Sequence, residues 1–130
     1  MLWASQRITR ALINNGLGKK SEECLERIIA LPKSSKSIPA NRPKPFQHYE
    51  SMRVKELLFN PEEIVLVDDV VTRGATILGA VNRLTEAFPD ARIRAFAVMR
   101  TMSNPEKFSE IVDPCVGKIR LSGENSWRDP

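Results

Sequence analysis

The chain is poor in the residues that build metal centres and disulfide frameworks. Its 130 residues include two cysteines and one histidine. Cys24 and Cys115 lie far apart and no CxxC pair occurs, which argues against a zinc site. Both cysteines are expected to be small buried apolar side chains in a reducing compartment, so the expected location is cytoplasmic. No apolar run approaches the roughly 20 residues that span a bilayer. The opening "MLWASQRITR" lacks the apolar core and small-residue cleavage site of a secretory signal, and no membrane partner is expected. Charge is not blocked by sign. The formal net charge of +4 is spread along the chain without a run of five or six like charges. Such a balance suits an anionic substrate or a nucleic acid, and nothing else in the sequence indicates nucleic acid. No internal repeat is present.

What remains is ordinary soluble composition, 42% hydrophobic and 28% charged, in a length that fits one domain with one core. Residues 2–13 are expected to form a helix, with Ala4, Ile8, Ala11 and Leu12 on one face. "NNGLGKK" stops it. Residues 23–31 fit either a short strand or a helical turn ended by Pro32. Residues 32–47 hold four prolines with several Ser and Lys, and read as a long exposed loop. "HYESMRVKELLF" fits a short helix or an edge hairpin. Ile64 to Val67 form a continuous apolar run, the pattern of a strand covered on both faces in a parallel sheet. Ile77, Leu78, Val81, Leu84 and Phe88 follow at helical spacing, and "ARIRAFAVMR" is the next strand. Together these make a βαβ unit. The tail holds one more apolar piece, "EIVDPCVGKIRL", and is expected to fray over 123–130. Trp3 is expected to pack its helix and Trp127 to belong to the tail.

The chemistry concentrates in "IVLVDDVVTRGATI", residues 64–77. Two adjacent carboxylates at a strand end repel each other, so they call for a partner. Parallel sheets gather ligands at the C-terminal ends of their strands. The loop Val71-Thr72-Arg73-Gly74-Ala75-Thr76 leads into a helix N-terminus, where unpaired N–H groups and the helix dipole favour an anion. Gly74 permits close approach, and Thr72 and Thr76 offer hydroxyls. Ionised Asp68 and Asp69 accept hydrogen bonds only, so their partners are sugar hydroxyls or a bound Mg²⁺. The pattern describes a ribose carrying a 5-phosphate.

"VLVDDVVTRGATI" resembles the phosphoribosyl-pyrophosphate (PRPP) motif of type I phosphoribosyltransferases: a hydrophobic strand, two acids, two hydrophobic residues and a TTGxT-like loop. The flanking "RPKPFQHYESMRV" and "RIRAFAVMRT" are similar to predicted phosphoribosyltransferases related to the competence-associated ComF-like proteins. The resemblance implies a Rossmann-like parallel α/β sheet with a variable hood. It implies Mg²⁺-dependent binding of PRPP or a nucleoside monophosphate, and transfer of the phosphoribosyl group to a nitrogenous base. Asp68 and Asp69, the candidate catalytic residues, would take the ribose 2- and 3-hydroxyls. Val71, Thr72, Arg73, Gly74, Ala75 and Thr76 would hold the 5-phosphate. Lys33, Lys36, Arg42 and Lys44 are candidates for a cationic lid, His48 for a ligand contact, and Arg100 for the wall of the same crevice.

Two departures from the family pattern stand out. Arg73 replaces the usual second threonine, which exchanges a hydroxyl for a guanidinium. No apolar strand and small-residue loop precede Leu2, where the family carries its pyrophosphate loop. The sequence therefore leads to the expectation of an N-terminally incomplete sheet, completed by a second copy or a partner chain, and of no catalysis by this chain alone. The rival readings are a PRPP- or nucleotide-sensing regulatory module and an inactive fragment.

Overall fold

The computed structural model describes residues 3–33, 38–102 and 114–129. Helix α1, Ala4–Asn14, begins after extended Trp3, whose N–H is accepted by the Gln6 side chain at 3.0 Å. It stops at Asn15 and Gly16, the latter at φ +74°, a left-handed exit that glycine adopts without strain. No α1 residue is fully buried, and the half-buried stripe includes Ser5, Ile8, Thr9 and Leu12. The expected Ala4 and Ala11 are exposed, and Trp3 is 76% exposed rather than packed.

The ambiguous segment after it supplies β1, Leu25–Arg27, paired antiparallel with β2, Met52–Val54. The register sets Glu26 opposite Arg53, and their side chains form an ion pair at 2.7 Å. Of the expected loop at 32–47, residues 34–37 lie outside the described residues, and regular elements occupy much of the remainder. A 3₁₀ turn spans Pro39–Asn41, and α2, Pro45–Glu50, uses Pro45 at its first turn, where a missing N–H costs nothing.

The βαβ unit stands as the sequence indicated. Strand β3, Glu63–Val71, leads through a turn to α3, Ala75–Ala87, and returns as β4, Arg92–Arg100. Strands β3 and β4 are parallel, with Ile64 opposite Ile93 and Asp68 opposite Ala97. Strands β5, Lys118–Ser122, and β6, Asn125–Asp129, form an antiparallel hairpin. This corrects the expected fraying after Gly123. Gly123, at φ +62°, opens a two-residue turn, and Trp127 stands opposite Arg120 in the ladder instead of lying in a loose tail. The fold is thus mixed α/β, with three two-stranded sheets among the described residues and one parallel pair.

The core is small. Leu84 of α3, Phe88 at its C-terminal cap and Cys24 are buried, with Ile64, Leu66 and Ile93 from the parallel pair and Val54 from β2 packed against them. Helix α2 crosses α3 at Gly79. A Cβ there would stand 2.7 Å from the His48 Cβ and from the Tyr49 nitrogen, so only glycine permits this approach. Arg83 fixes the crossing: its guanidinium lies 3.8 Å from the Tyr49 ring centroid and Nε donates to the Tyr49 carbonyl at 2.9 Å. The crossing brings His48 to the start of α3. No helix among the described residues is long and apolar enough to cross a membrane.

Candidate functional site

Asp68 and Asp69 are the sixth and seventh of the nine residues of β3, and each carboxylate accepts from the backbone N–H that follows it, at 2.9 and 2.8 Å. Beyond Val71 the chain turns through Thr72 and Arg73 to Gly74, the residue capping α3, at φ +86°. That left-handed conformation strains any residue with a Cβ, which accounts for glycine here.

A cleft of about 190 Å³ opens beside the strand end, between the β1–β2 pair and α3. Asp68 and Thr76 line it together with Arg27, Glu26, Met52 and Ile77. Burial pushes the Asp68 carboxyl up to about 6. The hydrogen bond from the Asp69 N–H opposes this, the neighbouring Asp69 carboxyl adds to it through a hydrogen bond and its charge, and the Arg27 cation pulls back down. Arg27 is itself lowered by burial, with Asp68 opposing. Its Nη1 donates to the Ser51 hydroxyl at 2.6 Å, and the Ser51 hydroxyl donates to the His48 carbonyl at 2.8 Å. The His48 imidazole is buried, and its Nε2 lies 3.4 Å from Thr76 Oγ1. Burial, reinforced by Arg27, lowers the imidazole to about 4, so it is neutral at pH 7.

The other sequence candidates lie elsewhere. Val71 faces a larger groove of about 830 Å³, between α3, β4 and the hairpin, and Arg100 lines that groove rather than the Asp68 cleft. Arg73 is exposed, while Thr72 and Ala75 are half-buried outside the cleft lining. Gly74 is covered on its Cα side by Ile119 of β5, whose Cγ2 would lie 2.6 Å from a Cβ at that position. Lys44 pairs with Glu124 of the hairpin turn, and Lys36 lies outside the described residues. Cys24 is buried as expected, but Cys115 is exposed on the chain leading into β5.

Arg27 and Ser51 carried no signal in the sequence. Arg27 sits in the ambiguous "ECLERIIAL" segment, and Ser51 in a stretch equally readable as helix or hairpin. Arg27 reaches the cleft through the β1–β2 pairing, and Ser51, at the end of α2, accepts from it. Ile119 was likewise hidden in a tail without a firm period. No family model matches this chain, nor does any curated protein or solved structure.

Proposed function

We propose that the chain is a phosphoribosyltransferase-like domain, with the Rossmann-like ancestry that name implies, which binds PRPP or another 5-phosphoribosyl ligand with Mg²⁺. The observation that supports this best is the convergence of Asp68 and Thr76 on one cleft, at the end of a parallel βαβ unit that carries the VVTRGAT turn. On this reading Asp68 and Asp69 accept hydrogen bonds from the ribose 2- and 3-hydroxyls. The amides at the start of α3 and the Thr76 hydroxyl take the 5-phosphate, with the helix dipole in their favour.

The acid pair also fits a hard divalent cation. Two neighbouring carboxylates, one of them raised chiefly by burial and further by the other, are oxygen donors in the number Mg²⁺ takes from protein when a phosphate ligand supplies the rest. Asp68 and Asp69 would hold the cation, which would supply positive charge against a pyrophosphate leaving group. The ancestral reaction is transfer of the phosphoribosyl group to a nitrogenous base with release of pyrophosphate.

A second reading, a non-catalytic PRPP- or nucleotide-sensing module, is favoured by a specific feature. Among the described residues lining the cleft, Arg27 is the one cation, whereas pyrophosphate departure calls for several opposed charges. A second copy or partner chain that completes the parallel sheet belongs to either reading.

Thermal unfolding with PRPP and Mg²⁺ tests the assignment. The wild-type melting temperature is expected to rise, and the Asp68→Asn/Asp69→Asn protein to show no shift. Equal shifts in both would remove the acids from the site. Pyrophosphate release separates the readings: steady turnover with any base favours the enzyme, and binding without turnover the sensor.

A further inference from the structure

His48 makes an unusual pair of contacts. The side chain is 4% exposed, Nδ1 is buried without a partner among the described residues, and Nε2 lies 3.4 Å from Thr76 Oγ1. A neutral imidazole carries one N–H. On Nδ1 that proton would be a buried donor with no acceptor, a rarer and costlier defect than an unused lone pair. The proton therefore belongs on Nε2, facing the threonine.

Thr76 has no intrahelical outlet for its hydroxyl. A helical threonine commonly donates to the carbonyl four residues earlier. Thr9 does so to Ser5 and Thr85 to Val81, both at 2.8 Å. Thr76 is the second residue of α3, so the residue four earlier lies in the turn before the helix, and the one partner of its hydroxyl among the described residues is His48. If the hydroxyl oxygen accepts from His48, the hydroxyl proton is left for the cleft it lines beside Asp68.

We propose that His48 is a positioning residue, whose Nε2–H holds the Thr76 oxygen and turns the hydroxyl proton outward toward an anionic oxygen of the ligand. The inference rests on the reading of Thr76 as the phosphate contact. The support around His48 is consistent with a fixed ring. Helix α2 is pressed against α3 at Gly79, and Ser51 ties the His48 carbonyl to Arg27. Such a device orients the hydroxyl: with one lone pair taken by His48, the proton is directed at a phosphate oxygen, while one lone pair remains open to a donor.

Because His48 is the chain's single histidine, its ring ¹⁵N resonances need no assignment. At pH 7 the ring is expected to be neutral and protonated on Nε2, with the Nε2 shift moving in Thr76→Val. Protonation on Nδ1 overturns the proposal. Calorimetry with PRPP and Mg²⁺ supplies the second readout, on variants shown to be folded. His48→Leu and Thr76→Val are each expected to weaken binding about ten-fold, the scale of one hydrogen bond to a charged group. The double variant should lose no more than either single, and His48→Gln, whose amide N–H can replace Nε2–H, should recover most of the affinity. Additive losses, or unchanged affinity in His48→Leu, overturn the proposal. If the wild type binds no PRPP, the phosphoribosyl reading fails. Inorganic phosphate then decides the role of His48: matched weakening in the two single variants sustains it, and unchanged or absent binding ends it.

Discussion

At the scale of single residues, half-buried Asp68, which lines the cleft, and buried His48, behind Thr76, respond to acid in opposite directions. The Asp68 carboxyl is raised to about 6 in the folded chain, from 3.8. Between those values the folded state holds a proton the unfolded chain has released, so Asp68 adds stability as the pH falls through 6. His48 is lowered to about 4, from 6.5, so the unfolded chain binds the extra proton and stability is lost as the pH falls from 6.5 toward 4. In the ligand-free wild type these tendencies offset. Asp68→Asn removes the first alone, and its melting temperature is expected to drop more steeply than the wild type's between pH 6.5 and 4. Parallel profiles would show that Asp68 is not the raised group. Ligand binding reports the same carboxyl differently. An acceptor of ribose hydroxyls must be ionised, so PRPP affinity is expected to fall as the pH drops through about 6. The acids were legible in sequence because adjacent charges at a strand end are costly wherever they occur. Arg27 was not, and His48 was singled out as a ligand contact without its partner Thr76, because what makes them matter is burial and distance across elements, which no local pattern encodes.

At the scale of elements, the α2–α3 crossing is the sharpest constraint. Gly79→Ala would set a methyl 2.7 Å from His48 and Tyr49 backbone and Cβ atoms, and the flexible end of a side chain is not what it meets. Overpacking of this kind costs about 1–3 kcal/mol, which urea unfolding would register as a lower midpoint. An unchanged midpoint would mean that the helices do not cross so closely. The βαβ unit was readable from the run Ile64–Val67 and the spacing of Ile77, Leu84 and Phe88, because period and burial coincide there. The β5–β6 hairpin was not, because Gly123-Glu124 is a weak turn signal and the strands carry Lys, Arg, Ser, Asn and Asp with little alternation. The β1–β2 pair was equally silent: three residues are too few to establish a period, and an inter-strand ion pair leaves no trace in sequence order.

At the scale of the whole molecule, the parallel pair is under-covered. Parallel sheets are normally packed on both faces. Here Val65, Phe96 and Val98 project from the face opposite Ile64, Leu66 and Ile93 and are 40–56% exposed. Self-association at micromolar concentration is therefore expected by light scattering, with Val98→Lys shifting the chain toward monomer. A wild type that stays monomeric would show that the open face is tolerated alone.

The claim on which these scales meet is that the twin acids and the start of α3 grip one sugar phosphate. Isothermal titration of the wild-type chain with PRPP, with and without Mg²⁺ at pH 7.5, tests it most directly. Saturable binding that depends on Mg²⁺, retained in part by ribose 5-phosphate and lost in Asp68→Asn/Asp69→Asn, is the expected result. No heat with either ligand, or the same affinity in the double variant, would contradict it.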